Sequence, residues 1–187
     1  MDVTLADAVR SLRRGELVVY PTDTLLGLGA RASDPTAVAR LITAKGRALS
    51  QPISVCVSST EEVERYARVS PSARRFLRRH LPGPYTVLLP PSAEARRSLS
   101  PNVARGRAIG VRIPDHPVAR ELARAAGPIT ATSANRHGEA PARTVADARR
   151  ALGRAVRTYL PAVQPMSGAP STLVDLTGAG PRLVRRG

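Results

Sequence analysis

No tryptophan, one phenylalanine and four tyrosines leave this 187-residue chain almost without aromatic side chains. A stacking platform for single-stranded nucleic acid needs such rings, so that mode of binding is disfavoured. The core must be aliphatic. A single cysteine, Cys56, excludes an internal disulfide and fits a cytoplasmic setting. No apolar run approaches the roughly 20 residues that span a bilayer. The start, Met1-Asp2-Val3-Thr4-Leu5-Ala6-Asp7, has neither the basic segment nor the apolar block of a signal peptide. Acidic residues are scarce: 14 Asp and Glu stand against 29 Lys and Arg, giving a net charge of +15. Among the charged residues lysine is scarcest, because Lys45 is the only one.

The charge implies phosphate-bearing or polyanionic partners. Richness in Ala, Arg, Gly and Pro also reads as genome bias, but that bias does not remove acids. Lys45 has two readings. One is chance survival on a solvated turn. The other is a local task for a compact ammonium, such as meeting a phosphate as a point charge, which a planar guanidinium does badly.

Seventeen prolines and fourteen glycines punctuate the chain, as expected of a loop-rich α/β domain, and neither repeat nor linker divides it. One domain over 1–187 is the expectation. The pattern predicts helices over 4–14, 35–44, from Thr60, over 71–80, to about Ala126, and over 145–152. It predicts strands over 16–20, 53–57, 85–89, 108–113, 128–131 and 156–159, and two near the end, around 172–175 and 183–187. The stretch 91–107 reads as loop with a short helix. Gly27-Leu28-Gly29-Ala30-Arg31-Ala32 matches a loose dinucleotide pattern, but the glycines do not follow a strand and open a helix. They read instead as a close approach of the backbone to another element or a ligand.

Strand ends carry the polar chemistry. Thr22-Asp23-Thr24 follows the first strand, and ligands of open α/β sheets usually bind at such ends. Lys45-Gly46-Arg47 ends a helix, and Gly46 would let both cations converge on one ligand. Arg112 closes a strand, Thr132-Ser133-Ala134-Asn135 closes another, Ser171 opens one, and Arg185 lies in the last. No phosphate-binding G-x-x-x-x-G-K-[ST] loop, paired metal-ligand histidines or Ser-His-Asp signature is present. Cys56 reads as a small core residue rather than a nucleophile, and His116 as structural or capping. Arg74, Arg75, Arg78 and Arg79 read as a solvated helix face, with polyanion contact as the alternative. The set suits catalysis by positioning and charge neutralisation at a phosphate.

These motifs, with Pro82-Gly83-Pro84-Tyr85-Thr86, Val111-Arg112-Ile113-Pro114, Ser171-Thr172-Leu173-Val174-Asp175 and Val184-Arg185-Arg186-Gly187, resemble the YrdC/TsaC family of threonylcarbamoyl-AMP synthases. The resemblance spans almost the whole chain, and Lys-x-Arg with Ser-x-Asn makes it specific. It implies a single α/β domain whose twisted sheet mixes parallel and antiparallel strands, flanked by helices, with a basic concave pocket. It implies that L-threonine, bicarbonate and ATP give threonylcarbamoyl-adenylate and pyrophosphate, for the t6A37 modification of tRNA. By the same resemblance Lys45, Arg47, Ser133 and Asn135 are the catalytic tetrad near the triphosphate. Gln51 and Arg185 contact ATP, while Thr24, Arg112 and Ser171 form the threonine pocket. Mg2+ is expected on the phosphates, with no metal held by protein side chains alone. Separate tRNA threonylcarbamoyl-transferase proteins are the implied partners, since the chain matches the short type without a further C-terminal domain. tRNA on the basic surface is a further expectation, and a membrane is not.

The chain departs from the family pattern at four places. Ala48 stands where many relatives have proline, and Cys56 where some have a histidine lining the threonine side. Leu25-Leu26 replaces a common Val-Tyr and loses an aromatic wall. Ala140-Pro141 shifts a proline by one. Two rival readings follow: an RNA-binding module, and a paralogue that makes another carbamoyl or acyl adenylate or has lost catalysis.

Overall fold

The computed structural model describes residues 3–48 and 51–187, so the leaderless reading of Met1 and Asp2 lies outside the described residues. The helices are α1 (Leu5–Arg13), α2 (Pro35–Lys45), α3 (Thr60–Tyr66), α4 (Pro71–His80), α5 (Ala93–Ser98), α6 (Pro101–Ala104), α7 (Pro117–Ala126) and α8 (Val145–Leu152). The strands are β1 (Val18–Tyr20), β2 (Gly27–Gly29), β3 (Ser54–Cys56), β4 (Tyr85–Leu89), β5 (Ile109–Arg112), β6 (Ile129–Ser133), β7 (Thr158–Tyr159), β8 (Thr172–Asp175) and β9 (Arg182–Arg185). Among the described residues they form one nine-stranded sheet in the order β7-β1-β2-β6-β3-β5-β4-β8-β9. Pairing is mixed: β1/β7, β3/β5 and β4/β8 are parallel, and the other neighbours are antiparallel. The expected α/β domain with a mixed sheet is what forms.

Helix starts follow their caps. Thr4 and Asp7 close a capping box on α1, and the Asp34 carboxylate accepts from the Thr36 and Ala37 amides ahead of Pro35 in α2. Gly46 ends α2 in the left-handed region at φ 61°, which costs glycine little.

The glycine run is the close approach to another element that was expected, the Tyr20 ring, and two further expectations are refined. The Gly27–Gly29 run is itself a strand, paired antiparallel with β1. Glycine is required there because the Tyr20 ring lies across it: a Cβ on Gly27 would sit 2.7 Å from Tyr20 Cζ. The stretch 91–107 holds two short helices rather than one. Ser92 caps α5, and Leu99, Val103 and Ala104 anchor the segment in the core. His116 occupies the N-cap position of α7, but its side chain makes no capping bond.

Alternation along the strands divides the sheet into two faces. One face carries Val19, Leu28, Val55, Val87, Ile109 and Val111 into the main core, which α2 joins through Val38 and Leu41. The other is covered only in part, where α1 and α7 pack Leu12 and Leu122 over Val18, Tyr20, Cys56 and Ile129. The uncovered remainder shows small residues, among them Gly27, Ser54, Gly110 and Ala131. Gly110 is bare because Ser54 fills its place. An added Cβ would collide with the Ser54 hydroxyl and lie 2.9 Å from Ser54 Cβ. Gly110→Ala is therefore expected to destabilise the fold by about 1–3 kcal/mol through overpacking, measured by urea unfolding. No helix among the described residues is long and apolar enough to cross a membrane.

Candidate active site

The uncovered part of the sheet is the floor of a cleft of about 1120 Å3. Among the described residues five arginines line it, Arg47, Arg105, Arg107, Arg112 and Arg185, against one carboxylate, Glu139. The acids are placed elsewhere. Asp7, Glu16, Glu64, Glu94, Glu121, Asp147 and Asp175 each pair with an exposed arginine outside the cleft.

One end of the cleft is built from hydroxyls around an arginine. Arg112, at the end of β5, donates from Nη2 to Asp23 Oδ1 at 2.5 Å, and the two side chains are 9% and 14% exposed. Thr22 Oγ1 lies 2.7 Å from Leu25 O and 3.0 Å from Thr24 Oγ1. With the Thr22 proton donated to that carbonyl, Thr24 donates to Thr22, and the Thr24 lone pairs stay open. Ser171 Oγ shares a 2.7 Å hydrogen bond with Thr86 Oγ1. Thr24, Arg112 and Ser171, the three residues of the implied threonine pocket, therefore come to one cleft from three separate segments.

The other end lies at the carboxyl end of β6, where Ser133 and Asn135 join Arg47. The Asn135 amide donates to Arg136 O at 3.0 Å and Glu139 O at 2.7 Å. Lys45 stands behind this wall rather than in it. The side chain is buried, and Nζ donates to Ser133 O at 2.6 Å and Asn135 O at 2.7 Å, with Asn135 Oδ1 at 3.5 Å. Its own carbonyl accepts from the His137 amide at 2.7 Å, so the loop after β6 is clasped at two points. Burial first, and the Arg47 charge second, pull the Lys45 ammonium down to about 8.

The expected convergence of Lys45 and Arg47 on one ligand is thus divided. The strand-end carbonyls draw the ammonium away, while Arg47 reaches the cleft, donating to Pro52 O at 2.8 Å with Nε unpartnered. Gln51 is not among the described residues that line the cleft, and its Oε1 is buried without a partner. Arg185 lines the far side, where its guanidinium donates to Ser171 O at 2.9 Å.

Cys56 does not line the cleft. It lies fully buried beneath α7, with Sγ 3.9 Å from Ala119 O, and burial pushes its thiol up to about 12. The core reading holds, and a thiolate nucleophile is excluded by that environment. Leu25 and Leu26 line the wall, so the wall is aliphatic as their types require. Sequence reasoning missed Asp23 as the partner of Arg112, and it missed the rim. Arg96 donates to the carbonyls of Ala104, Arg105 and Gly106, and this holds the Arg105-Gly106-Arg107 loop at the cleft mouth. The signal was Arg-Gly-Arg within a stretch poor in apolar residues. No cluster of three or more His, Cys, Asp or Glu suited to a metal occurs among the described residues.

Residues 10–187 match the Sua5/YciO/YrdC family model, described as telomere recombination. The chain belongs to this family. A threonylcarbamoyl-AMP synthase of Chromohalobacter salexigens is 40% identical over 176 residues, covering 92% of this chain and 92% of that protein. The crystal structure of Pyrococcus abyssi Sua5 complexed with L-threonine superposes with a TM-score of 0.88 at 32% identity. The match covers 97% of this chain but 53% of that one, so this chain spans about half of it. A Methanobacterium thermoautotrophicum protein solved in solution is 40% identical with a TM-score of 0.76, covering 97% of this chain and 85% of its own. The YrdC/Sua5 fold therefore supplies the mixed sheet, and this YrdC/Sua5 enzyme carries its polar strand ends on the uncovered face.

Proposed function

We propose that this protein is an L-threonylcarbamoyladenylate synthase, a nucleotidyltransferase that takes L-threonine, bicarbonate and ATP to the adenylate and pyrophosphate. The observation that carries the reading is one cleft with two differently built ends. An arginine with two hydroxyl residues suits a hydroxy amino acid, and a cation beside a hydroxyl-and-amide strand end suits phosphates. The P. abyssi relative solved with L-threonine supports the first assignment.

In this reading Arg112 grips the threonine carboxylate while Thr24 and Ser171 meet its polar groups. The amine takes up the carbon of bicarbonate, water leaves, and the resulting carbamate oxygen attacks the α-phosphate of ATP. Pyrophosphate leaves along Arg47, Ser133 and Asn135, while Arg185, held on Ser171 O at the other end, meets the nucleotide from across the cleft. Lys45 holds the Ser133–Asn135 wall in place, and Gln51, which does not line the cleft, would have to turn toward it to meet the nucleotide. A Mg2+ ion would be held chiefly by the nucleotide's phosphates, with Glu139 as the carboxylate among the described lining residues, and would supply further charge neutralisation. The adenylate then passes to separate tRNA threonylcarbamoyl-transferase proteins, with the basic cleft mouth as the surface for tRNA.

Pyrophosphate release by the purified protein with ATP and Mg2+ tests this. Release is expected only when L-threonine and bicarbonate are both present. ATP binding without release under those conditions would replace the reading with a paralogue acting on another acyl or carbamoyl group.

A further inference from the structure

Strand β7 stands first in the sheet order and β8 eighth, yet residues 160–171 alone join them. Of this strap, Ala162 and Met166 pack on the core, while Ser167 and Gly168 are exposed. Exposed residues can leave their amides to water. These two do not. The Ser167 amide donates to Asp23 O at 3.0 Å, and the Gly168 amide donates to Thr24 O at 2.9 Å. Two consecutive amides thus grip the Asp23–Thr24 segment. Gly168 has φ +77°, with open space where a Cβ would stand. Glycine is required there by the backbone conformation and not by crowding.

Three residues further on, the same strap delivers Ser171 to the cleft. The Ser171 hydroxyl is bound to Thr86 Oγ1, and its carbonyl accepts from Arg185. The next amide, that of Thr172, donates to Pro84 O at 2.9 Å. The strap is therefore fixed on Thr24 at one point and beside β4 at the next. The chain between them spans at most about 10 Å. Thr24 and Ser171, which come from opposite parts of the sheet order, are set against each other by this short piece of chain. We propose that Gly168 is a positioning residue for the amino acid substrate: its amide on Thr24 O holds the Thr24 side chain at a fixed spacing from Ser171, so that the two hydroxyls meet one hydroxy amino acid. The inference rests on the threonine-site reading above, and its test separates the two.

Gly168→Pro removes the amide hydrogen and forbids the positive φ. By calorimetry it is expected to weaken L-threonine binding about tenfold, the scale of one hydrogen bond, with ATP binding unchanged. In a Thr24→Val background the same change is expected to cost less than about twofold, because the latch acts through Thr24. Wild-type threonine affinity in folded Gly168→Pro overturns the proposal. So does an equal loss with and without the Thr24 hydroxyl, or a loss of ATP binding as large as that of L-threonine. Should proline unfold the chain, hydrogen exchange on the wild type decides. The Gly168 amide is expected to exchange at least about tenfold more slowly than an unbonded one, and to slow further with L-threonine. Exchange at the unbonded rate refutes the latch. A wild type that binds no L-threonine defeats the reaction reading, and the inference falls with it.

Discussion

Replacing Lys45 by alanine is expected to lower pyrophosphate release by about a hundred- to a thousand-fold, the scale seen when a positioned donor of an anion site is lost. The side chain does not reach the cleft, so the effect is carried by the wall it holds. Its ammonium spends its protons on Ser133 O, Asn135 O and the Asn135 side chain. Without it two strand-end carbonyls lose a charged donor, and the loop that seats Ser133 and Asn135 is freed. Charged hydrogen bonds are worth about 1.5–3 kcal/mol each, but the cost of burying the ammonium outweighs them in its lowered pKa, so a change of only about 1 kcal/mol is expected in urea unfolding and the loss falls on activity. Lys45→Arg is not expected to rescue, because a planar fork cannot take the place of a compact ammonium among converging carbonyls. Wild-type turnover in a folded Lys45→Ala protein would remove the role.

The same group sets a pH dependence. Its folded-state pKa falls from the ordinary 10.5 to about 8. Between those values the unfolded chain keeps the proton and the folded chain does not. Raising pH through that window therefore favours folding as far as Lys45 is concerned. Activity is expected to move the other way, because the clasp needs the ammonium, and to fall with an apparent pKa near 8. A rate that declines while the unfolding midpoint does not would separate loss of the clasp from loss of the fold.

Arg112→Ala is expected to produce the larger stability effect, about 1.5–3 kcal/mol, since it leaves Asp23, whose side chain is 14% exposed, without its charged partner. L-Threonine binding measured by calorimetry should disappear with it. The double variant Asp23→Asn with Arg112→Ala is expected to recover much of the stability and none of the binding. Equal instability of the single and double variants would show that the ion pair is not the cause.

Much of this was legible from residue types. Strands rich in Val, Ile and Leu announced themselves, and the capped helices began where Thr4, Asp34, Ser70 and Thr144 placed them. Strand β2 was not legible, because Gly-Leu-Gly has no strand propensity. It is a strand because the Tyr20 ring needs neighbours without Cβ atoms. The strand-end candidates were legible as types, since Thr24, Arg47, Arg112, Ser133, Asn135, Ser171 and Arg185 all line the cleft. Their partners were not. Asp23 and Arg112 meet across 89 positions of sequence, and Lys45 meets Asn135 across 90. The lone lysine signalled that something was particular there. Only the packed sheet places the acceptors behind the wall rather than in the cleft.

The distribution of the acids has a kinetic consequence. Half of the fourteen carboxylates pair with exposed arginines outside the cleft, while the described residues that line the cleft set five arginines, Arg105 and Arg107 among them, against Glu139 alone. The cleft is then an electrostatic funnel, and it treats its ligands unequally. In the proposed reaction, a nucleotide triphosphate is expected to associate at a rate that falls as added salt shortens the Debye length, about 8 Å at physiological ionic strength. A zwitterionic amino acid has no net charge to be steered and arrives at nearly the same rate in any buffer. If both ligands of the proposed reaction bind, low salt is expected to favour the nucleotide as the first to arrive.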